Sequence, residues 1–154
     1  MVEKLIHTRI KLLTFDLDDT LWPCTPTIIA AENRLYEWMQ QRVPQITERH
    51  DNEALLHKRR DFMQRRPDLL HDMSKLRIES LKALSDEIGL EYDWIEEAFE
   101  VFFLARQQVD LYSDVAPALD MLSTEYTLVA VTNGNADISL TGVDRWFNFS
   151  VSAA

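Results

Sequence analysis

Asp16 and Asp18 stand two residues apart in the run Phe15-Asp16-Leu17-Asp18-Asp19-Thr20-Leu21, and far along the chain a second polar run reads Val131-Thr132-Asn133-Gly134-Asn135. A carboxylate attacks phosphorus well only if the negative charge of the phosphate is offset, which calls for a hard divalent cation with oxygen ligands. Magnesium is the natural candidate. A second carboxylate two residues along, Asp18, can protonate a leaving alcohol and later activate water. Thr132 offers a hydroxyl, and the small residue Gly134 lets backbone N–H groups approach phosphate oxygens. The plainer alternative makes the aspartates caps of a following loop or helix and Asn133-Gly134 an ordinary turn. The pairing of the two runs favours the chemical reading.

These side chains need elements that aim them at one place. Ile10 to Phe15 is a short apolar, β-branched run leading straight into the acidic cluster, as expected of a buried strand ending in a polar loop. Tyr126 to Val131 repeats that pattern before Thr132, and Phe147 to Val151 suggests a third strand. In an open parallel sheet, functional groups gather beyond the carboxyl ends of strands, so Asp16 and Thr132 are expected to face one crevice. Between the first two strands the pattern is helical. Thr25 is expected to cap a first helix with Pro26 in its opening turn and Ile28, Ala31, Leu35 and Trp38 on one face, ending near Val43-Pro44. A charged helix is predicted from about Asp51 to Arg66, and a third carries Leu81, Leu84 and Ile88 and closes at Gly89. A fourth is predicted to start at a capping box of Asp93 and Glu96 and to carry Ile95, Phe99, Phe102 and Arg106 on one face. A short amphipathic helix (Val115, Leu119, Leu122) precedes the second strand, and a weaker helix or turn holds Ile138 and Leu140. The expected fold class is α/β: a parallel-sheet core of residues 1–22 and 110–154, interrupted by a helical bundle of residues 23–109.

Bulk properties narrow the partners. A formal net charge of -10 leaves no generally basic surface for nucleic acid or an anionic membrane, and no apolar stretch approaches the roughly 20 residues of a spanning helix. The single cysteine, Cys24, excludes an internal disulfide and a multi-cysteine zinc cage, and its acidic surroundings disfavour a nucleophilic thiolate. With no leader pattern over Met1 to Phe15, the expected location is cytoplasmic and the expected partner a small molecule. The basic stretches His57-Lys58-Arg59-Arg60 and Arg65-Arg66 read as a solvated helix face. His50, His57 and His71 lack the spacing of a helical metal pair and read as surface residues, and Phe99, Phe102 and Phe103 read as bundle core.

The run from Phe15 to Leu21 resembles the first motif of the haloacid dehalogenase (HAD) superfamily, and Val131-Thr132-Asn133-Gly134 resembles its second. The helical insertion directly after the first motif resembles that superfamily's helical cap. Asp-Asp-Thr-Leu-Trp, Thr-Asn-Gly-Asn and an acidic cap look most similar to bacterial phosphatases of 5-amino-6-(5-phospho-D-ribitylamino)uracil. The resemblance implies a HAD-like, Rossmann-like core and a phosphomonoester substrate. It implies that Asp16 is the nucleophile, forming an aspartyl-phosphate, and a magnesium ligand. Asp18 is then the general acid/base and binds magnesium through its backbone carbonyl, while Thr132 and Asn133 hold the phosphoryl group. An acid at position 18 favours a phosphatase over a dehalogenase, because a halide leaves without a proton.

The family's third motif, a lysine or arginine, and its fourth, an acidic pair, have no counterpart among residues 133–154, whose only base is Arg145. Two carboxylates facing a phosphate without that cation meet repulsion of about 4 kcal/mol per charge pair at an effective dielectric of 20. The expectation is a C-terminally truncated, catalytically impaired chain whose first strand is an exposed sheet edge, inviting strand swapping or homo-oligomerisation. Two alternatives belong to other classes. One is an inert fragment that keeps the start of the fold without turnover. The other is a response-regulator receiver, against which the long insertion after the first strand argues.

Overall fold

The computed structural model describes residues 10–153. The expectation of no leader therefore lies largely outside the described residues. Strand β1 (Leu12–Phe15) pairs in parallel with β2 (Thr127–Thr132), which pairs in parallel with β3 (Phe149–Ser152), giving the order β1-β2-β3. The predicted strands are all present, each beginning one or two residues later than its apolar run. The register matters for function: Phe15 lies opposite Ala130, so Asp16, the first residue after β1, and Thr132, the last of β2, lie at the same end of adjacent strands, one residue apart in register.

Parallel neighbours require a long crossover. Here it is made by α1 (Cys24–Arg42), α2 (Pro44–Thr47), α3 (Asn52–Arg65), a 3-10 turn at Pro67–Leu69, α4 (Met73–Ile88), α5 (Ile95–Arg106) and α6 (Val115–Leu122). A last short helix, α7 (Ile138–Thr141), lies between β2 and β3. Helices α3 and α4 begin at aspartates whose side chains accept the backbone N–H three residues on, Asp51 from Ala54 and Asp72 from Lys75, each at 2.8 Å. Gly89 closes α4 with φ of 79°, a conformation open to a residue without Cβ.

Two predicted caps are absent. Thr25 lies inside α1, whose entry is fixed instead by Asp19 Oδ1 accepting the Cys24 N–H at 2.8 Å. The acidic loop itself supplies the acceptor, so no capping side chain is needed at the helix start. Trp94, not Asp93, precedes α5, and no side chain caps that helix; the turn is closed by backbone bonds such as Ile95 N to Tyr92 O at 3.1 Å.

The apolar residues form two separate clusters. One, drawn from α1, α2, α4 and α5, includes Ala31, Leu35, Met39, Ile46, Leu81, Leu84 and Phe102. The other gathers Leu17, Leu21, Trp22, Val115, Leu119, Leu128, Ala130, Val143 and Trp146 beneath one face of the sheet. Within the helical part, Glu32 is 7% exposed and accepts from both Nη atoms of Arg77 at 3.3 and 2.6 Å. The Arg77 guanidinium carbon also sits 3.2 Å from the Phe102 ring centroid. Burial pulls the Arg77 pKa down and the Glu32 carboxylate opposes it. Val131 and Val151, paired across the sheet, are 41% and 49% exposed, and β3 is exposed along its whole length. β1, expected to be buried, is only exposed or half-buried, because it is an outer strand among the described residues.

Removing one partner of a buried ion pair strands the other charge. Glu32→Ala is therefore expected to cost about 3–5 kcal/mol in urea unfolding, and a loss under about 1 kcal/mol would mean that water already solvates the pair.

Candidate active site

The loop after β1 folds back on itself. Leu21 N donates to Leu17 O and Asp19 N to Trp22 O, both at 2.8 Å, and Asp19 adopts φ of 59°, a left-handed conformation that aspartate tolerates better than most residues. This turn buries Leu17, Leu21 and Trp22 in the sheet-side cluster and leaves the alternate side chains outward. Asp16 is exposed, and its Oδ2 accepts from the Thr20 hydroxyl at 3.2 Å.

Asp18 is half-buried and held from two sides. Its Oδ1 accepts from the Trp22 indole N–H at 2.9 Å, and its Oδ2 pairs with Arg106 Nη2 at 2.5 Å. Arg106 is 1% exposed at the end of α5, and its Nε donates to Asn135 Oδ1 at 2.9 Å. Its Nη1 is buried without a hydrogen-bond partner. The neighbouring Gln107 side chain donates to Asn135 O at 3.2 Å and accepts the Asp137 N–H at 2.9 Å. The last turn of α5 thus ties the loop after β1 to the loop after β2.

Thr132 is buried, and its Oγ1 accepts the Gly134 N–H at 3.0 Å. Gly134 is needed for close approach: a Cβ there would lie 2.9 Å from Asp18 Oδ2 and 3.5 Å from Thr132 Oγ1. Asp16, Asp18, Asn133 and Gly134 line one cavity of about 410 Å³. Thr132 borders the adjoining cleft, which Gly134 and Asn135 share.

The far wall of the cavity comes from the helices and includes Ile28, Met63, Leu76, Phe102, Arg59 and Arg77. Arg59 corrects the reading of its stretch as a solvated face. Its side chain is only 20% exposed, because α3 turns it inward, and its Nε lies 2.9 Å from Glu32 Oε1. His50 is likewise drawn inward, 18% exposed and 3.1 Å from Glu87. Of the three phenylalanines expected in the bundle core only Phe102 is buried, while Phe99 and Phe103 are half-buried and stack on each other at 5.8 Å. Cys24 borders the same cavity, and burial first, then the Asp18 carboxylate, pushes its thiol up to about 11. It is a poor nucleophile at neutral pH.

The helical spacing sets Arg106 on one face with Ile95, Phe99 and Phe102 and assigns it no task. An arginine at an otherwise apolar position was the available signal, since such a residue is retained inside only when paired. Nothing comparable marked Trp22, whose indole contact with Asp18 depends on the turn.

For a divalent ion the available donors are hard oxygens from Asp16 and the Asp18 segment. Among the described residues no three acidic, His or Cys side chains converge as a cage. That donor set fits magnesium, which keeps several waters and uses one or two carboxylates together with substrate phosphate. It does not suit zinc, whose sites favour nitrogen and sulfur. No described helix is long and apolar enough to cross a membrane.

The comparisons agree with this architecture. The chain is 31% identical over 149 residues, 94% of its own length, to 5-amino-6-(5-phospho-D-ribitylamino)uracil phosphatase YigB of Escherichia coli (strain K12). It covers 62% of that protein. The 2-haloacid dehalogenase of Pseudomonas syringae pv. Tomato DC3000 has 36% identity and a TM-score of 0.80, over 94% of this chain and 64% of that one. The HAD-hydrolase YfnB from Bacillus subtilis shares the fold, with a TM-score of 0.63 at 18% identity, over 94% of this chain and 65% of that one. The chain thus spans less than two thirds of each of these relatives. Its family profile matches residues 10–154, spanning both acidic and Thr-Asn-Gly loops, and the protein belongs to the haloacid dehalogenase-like hydrolases.

Proposed function

We propose that this hydrolase is a magnesium-dependent phosphatase of small phosphomonoesters, working through an aspartyl-phosphate on Asp16. The observation that carries the reading is the second carboxylate. Asp18 sits beside Gly134 and Thr132 at the mouth of the parallel strands, where a proton donor to a leaving alcohol is wanted. Asp16 Oδ attacks phosphorus and the bond to the leaving oxygen breaks as Asp18, in its protonated form, delivers its proton to that oxygen. Asp18 then takes a proton from water, which attacks the acyl phosphate and releases inorganic phosphate. Thr132 and Asn133 hold the phosphoryl oxygens, and the backbone N–H groups around Gly134 favour the charge that spreads over them. Magnesium, held by the Asp16 carboxylate and the Asp18 backbone carbonyl, supplies Lewis-acid neutralisation of the phosphate. The two unmixed hydrophobic clusters support a division into a core, residues 1–22 and 110–154, and a cap, residues 23–109, that selects the substrate.

The 36% identity to a 2-haloacid dehalogenase favours a second reading, in which Asp16 displaces halide from carbon. Asp18 would then be idle, which counts against it.

Asp16→Asn is expected to lower p-nitrophenyl phosphate turnover in magnesium by about a thousandfold or more, and activity that survives it would overturn the assignment. Chloride release from 2-chloropropionate, measured on the same sample, is expected to stay at background. Chloride release without phosphate release would transfer the protein to the dehalogenase reading. Gly134→Ala pushes a methyl group against a carboxylate already pinned by Trp22 and Arg106, so turnover should fall by about tenfold to a hundredfold with little change in unfolding midpoint. An unaltered rate would show that Asp18 is free to move away.

A further inference from the structure

Three arginines face the active-site cavity, and their bonding differs. Arg77 is bound at both Nη atoms by Glu32, and Arg106 is engaged by Asp18 and Asn135. Arg59 has one contact, its Nε at 2.9 Å from Glu32 Oε1, and that N–H is not aligned for a hydrogen bond. One carboxylate therefore serves two guanidinium groups, leaving a surplus positive charge on the helical wall. Toward this cavity Arg59 shares the wall with the apolar Ile28, Met63, Leu70, Met73 and Leu76, while on its other side it borders a groove that carries Lys58, Asp61 and Glu87. A cation so placed gains from an anionic partner more than a solvated one does, because the surrounding dielectric is lower. The phosphoryl group is held at the opposite end, by the loops after β1 and β2.

We propose that Arg59 is a specificity-determining residue that binds a second anionic group, a carboxylate, on the leaving-group portion of the substrate. The natural substrate class is then a phosphomonoester whose alcohol has an apolar body ending in a carboxylate. The apolar side chains contact the body and the free Arg59 Nη atoms donate to the terminal anion. This rests on the phosphatase reading of the same site. Glu32 retains both bonds from Arg77 when Arg59 is replaced, so the substitution removes the subsite without orphaning the buried acid.

The test measures binding of two stable phosphonates that differ only in the second anion, phenylphosphonate and 4-carboxyphenylphosphonate, by calorimetric titration of the full chain with magnesium. Hydrogen bonds to charged groups predict a preference of about tenfold to a hundredfold for the carboxylated compound. Arg59→Met should abolish that preference while leaving phenylphosphonate affinity unchanged, and Arg59→Lys should restore part of it. If both phosphonates bind equally well to the wild-type protein, the Arg59 proposal fails and the phosphoryl site stands. A preference that persists in Arg59→Met likewise overturns it. If neither compound binds and inorganic phosphate does not either, the phosphoryl site itself is wrong and the proposal falls with it.

Discussion

The carboxylate of Asp18 lies between an indole N–H and a guanidinium, and through those two partners it joins three stretches of chain that are remote in sequence. Trp22 belongs to the turn after β1, Arg106 ends α5, and Asn135, bound by the same arginine, follows β2. A half-buried charge cannot go unpaired without a penalty of several kcal/mol, so satisfying Asp18 fixes where α5 must end and how closely the Gly134 loop must come. The absence of a Cβ at residue 134 is the steric complement of that electrostatic demand.

The sheet provides the frame on which this contact is possible. Parallel pairing brings the ends of β1 and β2 together, and the register sets Asp16 and Thr132 within one residue of each other at that end. Packing of Leu17, Leu21 and Trp22 into the sheet-side cluster holds the acidic turn rigid, while Thr20 and Asp19 spend their side chains on Asp16 and on the start of α1. Helices α1, α2, α4 and α5 form a second cluster of their own, so they supply a wall to the cavity without sharing the core that shapes the catalytic loops.

Much of this could be read from residues in order. Apolar runs ending in Asp16 and Thr132 announced two strands, of which only β2 is buried, and the 3.6-residue spacing of Leu81, Leu84 and Ile88 announced a helix that Gly89 duly closes. Those signals are local, and local physics determines them. The caps at Thr25 and Asp93 misled because the two helices begin elsewhere, α1 with the Cys24 N–H held by Asp19 and α5 with the Ile95 N–H held by Tyr92 O. Arg59 misled for a related reason: its neighbours His57 and Arg60 are exposed, and only the tertiary position of Glu32 turns it inward. Side chains whose partners lie tens of residues away carry no periodicity of their own.

The proposed function rests on Asp16 being the phosphoryl-accepting group of the site. Rapid acid quenching of the protein with acetyl phosphate and magnesium, followed by peptide mass spectrometry, tests it directly. The account predicts one phosphoryl group on the peptide containing Asp16, located at that residue by fragmentation. A folded, magnesium-loaded sample that carries the label on another residue, or takes up none, would contradict it.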